Sequence, residues 1–339
     1  MPFPFDIAGE TPDRRDLYLV QDPYLRERIL PLLRFDPNEP DDRPSGHGTA
    51  FRIDPWSRCA TAFHVLENLF EVDRAGTTTH LKDNVRLAAL ELPGQGYGLL
   101  PIPRDAWRPM HASFSYFRID RPFGQAASFR NLIELMVLRI RPASPSESGT
   151  PYLPVNLSSW RPSIGERVMA IGYPDLDEAK DGEDKDDPNR PFHQYLYASV
   201  GEITDIEPAD TRRARPWPML RIDANWPGGM SGGPVFNEQG HVIGIVSAGF
   251  EGEGGATATY FSSWDVPRQI FGSLDPDNPG RFMNWGVFDA SGTLVYCGQD
   301  KAEIERFARD HGLNDFGMVS IDPVTEEWLR SQVVAFPES

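Results

Sequence analysis

The chain has 339 residues, 32 Pro and 30 Gly, with 24% charged and 40% hydrophobic side chains; this suits about two domains with cores of their own and excludes an all-helical bundle. Thirty-three basic against 50 acidic residues leave a net charge of −17, which repels phosphate backbones and anionic lipid, so neither nucleic acid nor membrane is an expected partner. No stretch approaches the roughly 20 apolar residues that span a bilayer, the start MPFPFDIAGETPDRRD has no basic leader with an apolar core, and Cys59 and Cys297 are too few for a disulfide framework. A reducing, cytoplasmic setting is the corresponding expectation.

Residues 1–45 form a lead-in rich in Pro and Asp. Its stretch YLRERILPLLRF carries Leu25, Ile29, Leu32 and Leu33 at helical spacing, although Pro31 interrupts it. From Gly46 the chain changes to short apolar runs punctuated by turns, GTAFRID, CATAFHVL, NVRLAALEL, YGLLPI and LIELMVLRI, which predicts strands and a first β-barrel over 46–150. Pro, Ser and Gly cluster in RPASPSESGTP, 141–151, as in an exposed connection. ERVMAIGYP, HQYLYASVGEITDI, PMLRID, GGPVFN and HVIGIVSAGF then repeat the pattern and predict a second β-barrel over 151–280. Within it lies DLDEAKDGEDKDDPNR, 175–190, with eight acidic and three basic side chains; clustered carboxylates repel, so it is expected to be solvated and mobile. The end, 281–339, reads as a small β-β-α-β appendix: a hairpin turning at Ala290, Ser291 and Gly292, a helix KAEIERFARDHG closed by Gly312, and the strand FGMVSI. The predicted fold class is therefore all-β, two barrels with an α+β appendix.

The most informative stretch is WPGGMSGGPVF. Gly228 and Gly229 precede Ser231 and Gly232 and Gly233 follow it, so the backbone can take positive φ on both sides and a substrate can approach closely. A serine in such a turn can expose its hydroxyl while amides, here those of Gly229 and Ser231, point at one spot, as acyl transfer requires. A glycine-rich hairpin with an incidental serine would carry the same letters. A serine hydroxyl is a weak nucleophile without a base, and His64, at the end of CATAFH, stands at a predicted strand end. The imidazole in turn needs an orienting carboxylate. Glu134 is the charged residue inside LIELMVLRI, where burial without a partner is costly; Asp120 in YFRIDRP is the competing acid.

TAFH, ELMVLRI and GGMSGGPV occur in the order His, acid, Ser, and in this they resemble the trypsin-like serine peptidases, the two-barrel fold of chymotrypsin. ERVMAIGYP resembles the strand opening the second barrel of the bacterial HtrA-type members, and RIDANWPGGMSGGPVFNEQGHVIGIVSAGF is similar to their serine loop and following strand. The likeness spans about residues 46–270. It implies Ser231 as nucleophile, His64 as general base and acid, and Gly229 with Ser231 as the oxyanion hole. It further implies a specificity pocket lined by Ser247, Ala248 and Gly249, with its base at Asn225 and its wall near Ala258; neither of the last two is charged, which points to a neutral residue on the acyl side of the scissile bond. Glu134 stands where most members carry Asp. No cysteine stands just after His64, no activation-cleavage sequence is seen ahead of the first barrel, and no recognisable PDZ domain follows the second.

The expectation is thus an intracellular, regulated serine endopeptidase acting on protein or peptide substrates, with no cofactor. His47, His80, His111, His193, His241 and His311 lack paired ligand spacing, so no metal site is expected. Cys59 and Cys297 are expected as packing residues. A different reading is a protein-binding module that keeps the cleft without turnover, or an effector gated by a regulatory protein docked on 281–339.

Overall fold

The alternating apolar runs close into two barrels in the computed structural model, which describes residues 11–39, 43–91, 99–100, 106–141, 150–247 apart from 181, 186, 188, 189 and 214, 255–262 and 268–331. The first barrel is a ring of Leu135–Ile140, Arg58–Ala62, Ser45–Arg52, Ile29–Phe35, Arg86–Leu90 and Trp107–Phe114, which returns to Leu135–Ile140. All its neighbours are antiparallel.

The N-terminal segment departs from the sequence expectation. Among its described residues only Pro23–Arg26 is helical, capped by the Asp22 side chain on Tyr24 N–H. Ile29–Phe35 is a strand of the first barrel, with Pro31 opposite Thr49. Pro31 cannot continue a helix, and Ile29, Leu30, Leu32 and Leu33 are all buried. A short run buried on both faces carries no period that separates strand from helix. Tyr18–Leu19 likewise pairs with Tyr197–Ala198 of the second barrel, so the segment set apart as a lead-in supplies strands to both barrels.

The second barrel runs Tyr197–Glu207, Arg167–Gly172, Pro234–Phe236, Val242–Val246, Ala256–Tyr260 and Met219–Asp223, closed by pairing of the last with the first. Its strand Arg167–Gly172 has period-two alternation with both faces apolar. Val168 and Ala170 join the interior cluster around Leu220, Met230 and Val235. Met169 and Ile171 join the cluster that fills the first barrel and the junction between the two.

The acidic run is not solvated throughout. The Arg15 guanidinium forks onto Asp175 at 2.5 and 2.9 Å. Asp177 holds Arg43, Arg190 and, at 3.0 Å, the amide of Gly46. Glu183 pairs with His193 at 2.9 Å. Partners distant in sequence supply what the composition of the run lacks, and they tie it to the start of Ser45–Arg52.

The expected connection at 141–151 lies largely in 142–149, outside the described residues. At the C-terminal end, Leu294–Gly298, Phe282–Phe288, Asp315–Ile321 and the additional strand Trp328–Arg330 form a four-stranded sheet in that order. Helix Lys301–Asp310 packs Ile304 and Ala308 against Val287. Asp300 caps its N-terminus and Gly312, at φ +67°, follows its end. Among the described residues no helix is long and apolar enough to cross a membrane.

Candidate active site

Strand register brings Glu134 to His64. Ala62 lies opposite Leu135, and one residue further along each strand the Phe63 amide donates to the Glu134 carbonyl at 2.5 Å. The chain then turns into the short helix Phe63–Leu66. Phe63 packs edge-on against Phe129 with centroids 5.9 Å apart, and the next side chain, His64, donates through Nδ1 to Glu134 Oε1. Ser247 Oγ donates to the same oxygen at 3.0 Å. The Glu134 side chain is fully buried while 16% of the His64 side chain is exposed. A buried carboxylate needs hydrogen-bond donors, and here both donors converge on one oxygen. Oε2 has no hydrogen-bond partner among the described residues. Asp120, the competing acid, forms an exposed pair with Arg118 at 2.8 Å on the hairpin Phe117–Asp120 and Ser128–Asn131.

The serine turn is built from its glycines. Met230 N–H donates to Pro227 C=O at 3.2 Å and Gly229 has φ +87°, the signature of a type II turn with glycine at its third position. A methyl on Gly229 would fall 2.5 Å from the Tyr173 carbonyl oxygen. Gly232, at φ +82°, donates to Val246 C=O at 3.0 Å, and Gly233 donates to Met230 C=O at 2.9 Å. The amides of Met230, Gly232 and Gly233 are therefore engaged. Those of Gly229 and Ser231 have no acceptor among the described residues. Two free N–H groups beside one hydroxyl are the arrangement that a developing oxyanion requires.

The two halves approach through glycines. A methyl on Gly232 would strike the Thr61 hydroxyl and Thr49 carbonyl and lie 2.9 Å from Ala62 N, in the strand leading to His64. One on Gly48 would meet Val65 Cγ1 at 2.9 Å and Ser231 O at 3.1 Å. Met230, between the paired glycines and the serine, is fully buried in the second-barrel core, so hydrophobic packing anchors the turn.

Of the residues expected at the specificity pocket, Ser247, Asn225 and Ala258 are described. Ser247 is buried with its hydroxyl on Glu134, a role set by a contact between barrels that a count along the strand does not reveal. Asn225 is exposed and its amide donates to Arg15 C=O at 3.1 Å; Ala258 is fully buried in the second-barrel core. Ala258 pairs with Leu220 and Val246. Ala248 and Gly249 lie outside the described residues. Cys59 is buried, and burial pushes its thiol up to about 12; Cys297 is only half-buried. Among the described residues no cluster of His, Cys, Asp or Glu could hold a metal ion.

Two antiparallel six-stranded barrels, one carrying a buried carboxylate on an imidazole and the other a serine in a glycine turn, define the chymotrypsin-like class of fold. The model of the trypsin-like peptidase domain matches residues 48–245, and the chain belongs to that family. Among solved structures it is similar to Deg5, at 16% identity over 69% of this chain and 84% of that one, with a TM-score of 0.40. It is also similar to the serine endoprotease from Yersinia pestis, at 18% identity over 70% of this chain and 61% of that one, with a TM-score of 0.38. No curated protein matches it.

Proposed function

We propose that the chain is a serine endopeptidase that hydrolyses peptide bonds through an acyl-enzyme on Ser231, with His64 as proton shuttle and Glu134 as its orienting acid. Ser231 Oγ attacks the scissile carbonyl carbon as His64 Nε2 takes its proton. Glu134 Oε1, already holding the Nδ1 proton, fixes the tautomer that leaves Nε2 free to accept, and stabilises the imidazolium. The tetrahedral oxyanion receives the amides of Gly229 and Ser231. His64 then gives its proton to the leaving amine, and water, deprotonated by the same nitrogen, releases the acyl group.

The observation that carries this reading is the pair of unengaged amides at Gly229 and Ser231, in a turn packed against the strand that ends beside the Glu134–His64 pair. A fluorophosphonate probe tests it. Wild-type protein should be modified at Ser231, and Ser231→Ala and His64→Ala should remain unmodified. Absence of labelling on the wild type would favour the reading in which the cleft binds protein without turnover.

A further inference from the structure

Thr49 lies in the strand Ser45–Arg52 of the first barrel, fully buried, and every polar atom it has is committed. Its amide donates to Ser231 C=O at 3.0 Å. Its hydroxyl donates to Gly229 C=O at 2.7 Å and accepts from Tyr173 N–H at 3.1 Å. Its carbonyl accepts from the Thr61 hydroxyl at 2.7 Å. Because Tyr173 N–H takes the hydroxyl's lone pair, the hydroxyl proton is directed onto Gly229.

We infer that Thr49 is a positioning residue for the oxyanion hole: its hydroxyl anchors the Gly229–Ser231 turn against the strand that leads to the base. This rests on the peptidase reading above. The amides of Gly229 and Ser231 belong to the Gly228–Gly229 and Met230–Ser231 peptides, and the two carbonyls that Thr49 holds belong to the peptides that follow each of them, Gly229–Met230 and Ser231–Gly232. Gly229, at φ +87°, is a glycine with a wide choice of backbone angles, so the bond from the Thr49 hydroxyl to its carbonyl restricts the turn where its own sterics do not. Met230 packing fixes where the turn sits but places no bond on that carbonyl. Through Thr61, three residues before His64, the same residue also ties the turn to the strand carrying the base.

Thr49→Val keeps the β-branched shape and the backbone bonds and removes only the hydroxyl, leaving Gly229 C=O and Tyr173 N–H without it. With p-nitrophenyl acetate as substrate, and rates expressed per site titrated with fluorophosphonate, kcat should fall about 10- to 100-fold while KM changes less than about 3-fold. This lies below the about 10²–10³ loss that follows outright removal of an oxyanion donor. Thr49→Ser should restore kcat to within about 3-fold of wild type. A purely structural role would lower the thermal midpoint and the titratable fraction but leave kcat per site unchanged. If Thr49→Val does not fold, the pair Thr49→Ala and Thr49→Ser, both with spare room, makes the same comparison. Wild-type turnover with a hydroxyl-free variant within about 2-fold of it, or with Thr49→Ser no better than that variant, overturns the inference alone. A wild type that takes no fluorophosphonate overturns the peptidase reading and this inference together.

Discussion

Glu134→Gln separates the charge of the proposed orienting acid from its shape. Oε1 receives both His64 Nδ1 and Ser247 Oγ, while Oε2 receives no donor among the described residues. An amide oxygen can keep both hydrogen bonds, and its NH2 then occupies the site where an acceptor already lacks a partner. One unpaired polar atom replaces another, so global stability should change by less than about 1 kcal/mol. Catalysis should respond differently, because proton transfer from Ser231 creates an imidazolium beside the group that has lost its charge. With charge centres about 4 Å apart and an effective dielectric of about 20, the missing attraction is about 4 kcal/mol, or about 10³ in rate. The second-order rate of fluorophosphonate labelling and the turnover of p-nitrophenyl acetate, both at pH 7.5, measure it. Glu134→Asp keeps the charge but is shorter by one C–C bond of about 1.5 Å, and it should fall between wild type and Gln. A Gln variant within about tenfold of wild type would refute the claim that this carboxylate stabilises the imidazolium.

Gly232→Ala should destabilise the protein by about 2 kcal/mol or more in urea unfolding, since a left-handed backbone costs a side chain about 1–2 kcal/mol and the added methyl strikes Thr49 and Thr61. Gly124→Ala, at φ +74° with nothing within 4 Å, isolates the backbone cost and should lose less; equal losses would contradict the packing described between the serine turn and the first barrel. Burial holds His47 and His241 below the ordinary imidazole range. The unfolded chain therefore binds their protons more readily, and this contribution to stability is full above about pH 6.5 and lost as pH falls below it. His241→Asn should flatten the decline in urea midpoint between pH 7 and pH 5.5, and an unchanged slope would count against it. With Cys59 pushed up to about 12, iodoacetamide at pH 8 should alkylate folded protein at Cys297 alone and reach Cys59 only after unfolding; mass spectrometry showing two adducts on folded protein would overturn that.

The parts of fold and site legible in the sequence are those whose physics is local. Paired glycines around Ser231 announce a backbone that only glycine adopts readily, and Glu134 announces itself as a charge inside an apolar run. Alternation gives the strands of both barrels, and Asp300 and Gly312 give the ends of the C-terminal helix. What escaped depends on partners far along the chain. The acidic run looks unpaired until Arg15 and Arg43 arrive from 160 and 134 residues away. YLRERILPLLRF shows helical spacing only because a strand buried on both faces needs no alternation. Thr49 gave no signal, because a β-branched residue in a strand needs no further explanation.

These long-range contacts share a pattern. The first barrel holds the acid and the imidazole, yet the hydroxyl that supports the acid, Ser247, comes from the second. The second holds the serine turn, yet the amide and hydroxyl gripping its carbonyls, those of Thr49, come from the first. Under the proposed function each barrel thus supplies an orienting group for the other's reactive group, and neither half of the candidate site is complete within its own barrel. The geometry of the site is consequently a property of the junction. Packing of Met169 and Ile171 into the first-barrel cluster, the glycine approaches at Gly48 and Gly232, and the ties of Asp177 to Arg43 and to the Gly46 amide all act on the distance between the halves. Substitutions at the junction should therefore depress catalysis before they unfold either barrel, because orientation at a reacting centre is lost with displacements of about 1 Å, well short of what separates two packed cores.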